Sequence, residues 1–184
     1  MRVEIVEAET ENPSVVFPPD GNFVDLRENP QAIQEIPAAR EYPPLRNFLA
    51  TVNGSESIFT TVSASTRSDL PASVSGAGAH EFAFEATLVF AEPSPNFEQK
   101  QYMELASGLK ELLERDTADT LRVVLRIAPC DFVAQGRRGF CLGIRLVAEG
   151  DSPEQAELRC GLAMARIQQA LLFRARSLKQ QIGV

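Results

Sequence analysis

Hydrophobic and polar residues alternate in two different rhythms along this chain. Leu45, Phe48, Leu49 and Val52 recur at i, i+3, i+4 and i+7, which places them on one face of a helix. Pro44 suits a first helical turn and Asn53-Gly54 a helix end, so a short helix is predicted between them. Beyond it the period becomes two. Ile58, Thr60, Val62 and Ala64 alternate with Phe59, Thr61 and Ser63, predicting a strand. Phe82, Phe84, Ala86, Leu88 and Phe90 alternate with Glu81, Ala83, Glu85, Thr87 and Val89, predicting another. Ser68 to Ala79, rich in Ser, Ala, Gly and Pro, reads as a mobile loop between the two.

Pro93-Ser94-Pro95-Asn96 stops the second strand, and a helix is predicted from about Phe97. Tyr102, Leu105, Ala106, Leu109, Leu112 and Leu113 fall within a sector of about 120° of that helix. Alternation returns over Leu121–Ile127 and Phe140–Leu146. A turn centred near Gln135-Gly136 then opposes Leu125 to Leu146 and Ile127 to Ile144, with every apolar residue on one face. The last helix has an explicit start: Ser152 as cap, Pro153 in the first turn and Gln155 at capping-box spacing. Running to about Gln181 it spans about 43 Å, against about 33 Å for a ten-residue strand. It is expected to overshoot its sheet.

These elements predict an α+β domain over residues 44–184. It has an antiparallel sheet of about four strands in ββαββα order, helices packed on one face, and a short preceding helix. The junctions Leu88–Pro95 and Leu146–Pro153 resemble each other, which makes an internal duplication a candidate. Residues 1–43 hold six of the twelve prolines and no sustained periodicity. They read as an extended acidic arm draped over the domain or a neighbour. A small hairpin is expected within it, Val15–Phe17 with Phe23–Leu26 around Pro18-Pro19-Asp20-Gly21.

Charge narrows the functional classes. The 184 residues carry a formal net charge of −7, which disfavours a generic nucleic-acid-coating protein. The charge is unevenly spread: residues 1–119 hold 8 basic and 20 acidic groups, residues 120–184 hold 10 and 5. An acidic first half can therefore fold on its own basic second half or on that of a twin. The glutamate-rich start is unlike a signal peptide, and no apolar run is long enough to span a membrane. Three cysteines do not make a disulfide framework. A cytoplasmic protein is expected.

Candidate chemistry is sparse. His80 is the only histidine and has no evident partner, so no metal, cofactor or catalytic set is assigned. In the expected register Cys130 lies opposite Cys141, a candidate thiol pair, while Cys160 falls on an apolar helix face. The same register opposes Arg126 to Arg145 and puts Arg137 and Arg138 at the hairpin tip. Opposed like charges cost stability unless an anion answers them. The four arginines are thus a candidate site for phosphate, nucleic acid or an acidic segment, unless Glu81 or Glu85 pairs with them.

The final helix carries two nearly opposite apolar stripes. One comprises Leu158, Leu162, Ala165 and Leu172; the other comprises Cys160, Met164, Ile167, Leu171, Ala175, Leu178 and Ile182. A surface helix has one stripe, so the second needs a cover. The overshoot directs Met164, Ile167, Leu171, Leu178 and Ile182 toward a second subunit. The expectation is a non-catalytic protein-interaction or scaffold module acting as a homo-oligomer, most simply a homodimer. One alternative is an anionic-ligand or nucleic-acid binder using the sheet arginines; another is an enzyme with a composite site at a subunit seam. The order helix, strands, helix, hairpin, helix is broadly similar to that of small acidic secretion chaperones, a likeness of fold only.

Overall fold

The computed structural model describes residues 1–8, 15–19, 21, 23–71, 80–115 and 120–182. In chain order the elements are β1 (Arg2–Glu7), β2 (Val15–Phe17), α1 (Pro37–Glu41), α2 (Pro43–Val52), β3 (Phe59–Pro71) and β4 (His80–Phe90). There follow α3 (Gln99–Leu113), β5 (Leu121–Phe132), β6 (Arg137–Gly150) and α4 (Pro153–Ile182). The six strands form one mixed sheet in the spatial order β1-β5-β6-β4-β3.

Two strands come from the arm. β1 pairs in parallel with β5, Val3 beside Val123 and Ile5 beside Leu125, and β2 continues along the same strand with Val15 beside Cys130. The sheet therefore has six strands rather than four. The outer edge of β5 supplies unpaired backbone groups, and burial of Met1 and Val3 anchors the arm there. Among the described residues no hairpin forms around Pro18: β2 pairs with β5 instead, and the Phe17 and Phe23 rings meet edge-on at 5.5 Å.

Strand β3 runs further than alternation indicated, and Ser68–Pro71 belong to it; residues 72–79 of the expected loop lie outside the described residues. A register shift between Thr61 and Ser63 leaves Val62 unpaired in the ladder. Asn53, which ends α2, pins this strand start. Its Oδ1 accepts from Thr61 N at 2.9 Å, and its Nδ2 donates to Thr61 Oγ1 and Leu49 O.

The β5–β6 hairpin is also offset from expectation. Leu125 opposes Ile144 and Ile127 opposes Leu142, a slip of two residues that keeps every side chain on its expected face. The cause is the turn. Val133–Gln135 wind as a 3-10 turn and Gly136, at φ 57°, closes it in the left-handed region, so Phe132 already pairs with Arg137.

Helices α2, α3 and α4 cover one sheet face, with α4 lying over β4 and β6 between the other two. Phe48, Phe84, Tyr102, Leu125, Ile144 and Ile167 fill the core between them. At the start of α4, Ser152 Oγ accepts from Gln155 N at 3.3 Å, and Gln155 Oε1 accepts from Asp151 N at 2.7 Å. Its far end is received by the loop after α2, where Lys179 Nζ donates to Ser55 O and Glu56 O. Among the described residues no helix is long and apolar enough to cross a membrane.

One end of the opposite sheet face is closed by chain segments. There β2 and the turn Ser94–Phe97 close over a small second cluster of Val62, Val89, Cys130, Phe132 and Cys141. Along the rest of that face Glu81, Ala83, Val147 and Glu149 are buried, whereas Arg126 and Arg145 between the two ends are exposed.

Candidate functional site

On the sheet face away from the helices the ladders place side chains in rows. Thr87 of β4, Gly143 of β6 and Arg126 of β5 form one row, and Glu85, Arg145 and Val124 the next. Arg126 and Arg145 are therefore not opposed. They stand diagonally, about 7–8 Å apart between backbones, on either side of the place that Gly143 leaves empty. A basin of about 400 Å³ opens there, with Arg126, Arg145, Glu85, Thr87, Gly143 and Ala128 in its lining.

The charges around it differ in their partners. Arg145 Nε meets Glu85 Oε1 at 3.5 Å, both side chains well exposed. In a further row Arg122 Nη2 lies 3.2 Å from Glu81 and 3.6 Å from Glu149, each carboxylate residue only 7% exposed. Arg126 is exposed and has no ion pair or hydrogen bond among the described residues. The hairpin-tip arginines are engaged elsewhere: Arg137 stacks 4.1 Å over the Phe97 ring, and Arg138 Nε reaches Asp131 Oδ1 at 3.1 Å. Of the four arginines expected at one site, the fold brings together Arg126 and Arg145.

The thiols are free and buried. Cys130 opposes Gly139 and Cys141 opposes Ala128, so the two cysteines neighbour each other diagonally rather than across the ladder. The hydrogen bond that the Cys130 thiol shares with Cys141, together with burial, pushes that thiol far up. Burial pushes Cys160 up to about 12. Tyr42 and Tyr102 are also raised by burial. Neutral thiols shut inside apolar clusters are poor nucleophiles. His80 begins β4 opposite Gly150, half-buried.

The two stripes of α4 exchange the roles expected of them. Met164, Ile167, Leu171 and Leu178 lie within the chain's own core, so they are not available to a second subunit. Of Ile182 only the helical backbone is described. The stripe left bare is the other: Leu158 is 64% exposed, Leu162 60%, Ala165 is exposed and Leu172 half-buried, and Phe173, next to that stripe, is 57% exposed. Leu158 and Leu162 border a groove against Tyr42, Pro43 and Pro44. A signal for this was present in the sequence. The buried stripe is continuous along the helix, whereas Arg166 and Gln169 interrupt the exposed one. Thr87 and Gly143 carried no comparable signal, because only strand register places them beside Arg126.

Compared with known proteins, the chain matches no family model, no curated protein and no solved structure.

Proposed function

We propose that this chain is a non-catalytic protein-interaction module that works as a homodimer paired through the outer face of α4. The observation that carries the reading is the stripe Leu158, Leu162 and Phe173, three large apolar side chains exposed on one helix. Each gains about 1.5–3 kcal/mol when fully buried, and aligned residues of this kind mark a surface built to be covered.

A second copy suits this stripe for two reasons. The stripe is self-complementary about Ala165, near its middle, because an antiparallel partner sets Leu158 against the Phe173 end. The charges at its ends complement each other in the same arrangement: Glu154 lies at the start, while Arg176 and Lys179 lie near the finish. Antiparallel pairing brings acidic start to basic finish and opposes the helix dipoles favourably. Arg176 holds Glu56 of its own chain at 3.2 Å, but that pair is exposed and weak. The buried, protonated thiols support a binding role over thiol catalysis.

Light scattering on the full chain tests this. The wild type should have twice the 20.2 kDa chain mass, and Leu162→Glu should halve it with an unchanged circular dichroism spectrum. A wild type that stays monomeric at about 100 μM, well above the range of a specific dimer, overturns the reading.

A further inference from the structure

We infer that the basin between Arg126 and Arg145 is a binding site for a small organic oxyanion, a phosphate ester or a carboxylate. Three observations point the same way. First, Arg126 is exposed with no ion pair or hydrogen bond among the described residues, whereas Arg122 and Arg145 on the same face are each answered by a carboxylate. Second, Glu85 engages Arg145 through Nε. That contact occupies Nε and leaves the terminal N–H donors for another acceptor.

Third, Gly143 forms the floor of the basin for no reason of packing. Its backbone is not left-handed, and a Cβ there would meet its nearest neighbours, Arg126 O and Arg126 Cβ, at the ordinary distances of 3.5 and 3.6 Å. Gly139, four residues earlier on the same strand, is different: a Cβ there would run into Asn96 O. A glycine inside a strand weakens it and often marks a close approach by a ligand or another backbone. Gly143 holds open the space between two guanidinium groups.

The site that results has its donors on the rim and small groups on its floor. Arg126 contributes a full guanidinium, Arg145 its terminal nitrogens, and Thr87 a hydroxyl in the same row as Gly143. Planar guanidinium groups pair with carboxylate and phosphate through two parallel hydrogen bonds, an arrangement that an ammonium cannot supply. A volume of about 400 Å³ accepts a metabolite-sized ligand. Glu85 excludes a third negative group on its side, which favours a ligand with its charge at one end. The site is independent of the α4 surface, which lies on the other face of the sheet.

Amide NMR titration of the full chain with inorganic phosphate, glycerol 3-phosphate and succinate, at constant ionic strength, tests the inference. At least one probe should saturate, with the largest shifts at Thr87, Arg126, Gly143 and Arg145. Saturation by glycerol 3-phosphate or inorganic phosphate identifies a phosphate site, and saturation by succinate alone a carboxylate site. Arg126→Gln should weaken binding at least about tenfold, the loss of one charge-assisted pair. Gly143→Val should abolish binding by filling the floor while leaving both arginines in place. Each variant is compared with wild type by thermal melting. No saturation by any probe up to about 10 mM, or Arg126→Gln binding as tightly as wild type, overturns the inference.

Discussion

Asn96 satisfies Phe90 as a neighbouring strand would: its Oδ1 accepts from Phe90 N at 2.8 Å, and its Nδ2 donates to Phe90 O at 2.9 Å. The same Oδ1 accepts from the Tyr102 hydroxyl at 2.5 Å. One buried amide thus joins the end of β4 to the first turns of α3. Asn96→Ala leaves these groups without partners and should cost about 2–4 kcal/mol in urea unfolding. Asn96→Asp should recover little, because a carboxylate cannot donate to Phe90 O. A loss within about 0.5 kcal/mol would show that water replaces the amide.

The two stripes of α4 predict opposite behaviour. Ile167 is fully buried, and Ile167→Ala should cost about 2–5 kcal/mol at any protein concentration. Leu162→Ser should leave the stability of the dilute monomer within about 0.5 kcal/mol of wild type. Denaturant melts at two protein concentrations separate the effects. An equal loss in both variants would mean that Leu162 is a core residue.

Arg122 bridges Glu81 and Glu149, which are direct cross-strand partners on β4 and β6. Without the guanidinium, two buried carboxylates on neighbouring strands lose the cation they share. Arg122→Met should therefore destabilise by about 2 kcal/mol, below the range for a fully buried pair because the arginine is partly exposed. Adding Glu81→Gln should restore part of the loss, and a double-mutant cycle measures how much. Simple additivity of the two changes would remove the bridge as an energetic unit.

Cys160 provides a pH signature. Its thiol has an ordinary value of 9.0 and burial pushes it up to about 12. Between those values the unfolded chain releases a proton that the folded chain keeps, so stability present below about pH 9 falls as pH rises toward 12. Burial raises Tyr42 and Tyr102 as well, which steepens the same decline. Cys160→Ala should flatten the alkaline limb of a stability profile while leaving its neutral part nearly parallel to wild type. An unchanged limb would mean that the thiol ionises in the folded state.

Thiol accessibility is a further readout. Because Cys130, Cys141 and Cys160 are all buried and free, a thiol reagent at pH 8 should label none of them in the native protein and all three in denaturant. Rapid labelling of one cysteine before unfolding would contradict its placement.

Much of the architecture is legible in residue order. The periodicities around Leu45–Val52, Phe82–Phe90 and Tyr102–Leu113 mark α2, β4 and α3, because each repeats one face often enough to exclude the other period. The cap of α4 is equally local, since Ser152 and Gln155 lie within one turn of each other. Strands β1 and β2 were not legible. Their partner is the edge of β5, more than a hundred residues away, and nothing in Val3 or Val15 names it. The arginines were legible as a candidate site but not in their arrangement, since a two-residue slip in the β5–β6 ladder decides that Arg126 faces Gly143 instead of Arg145.

The sequence alone determined the periodic elements, the sheet face that each side chain of β4, β5 and β6 occupies, and the presence of two apolar stripes on the last helix. Those properties follow from the repeats of helix and strand, which are local. Tertiary structure alone decided the six-strand count, the register, which stripe is bare and that Arg126 has no ion pair or hydrogen bond among the described residues. These depend on turn geometry and on surfaces distant in the chain, where a shift of two residues keeps the hydrophobic pattern and changes every neighbour.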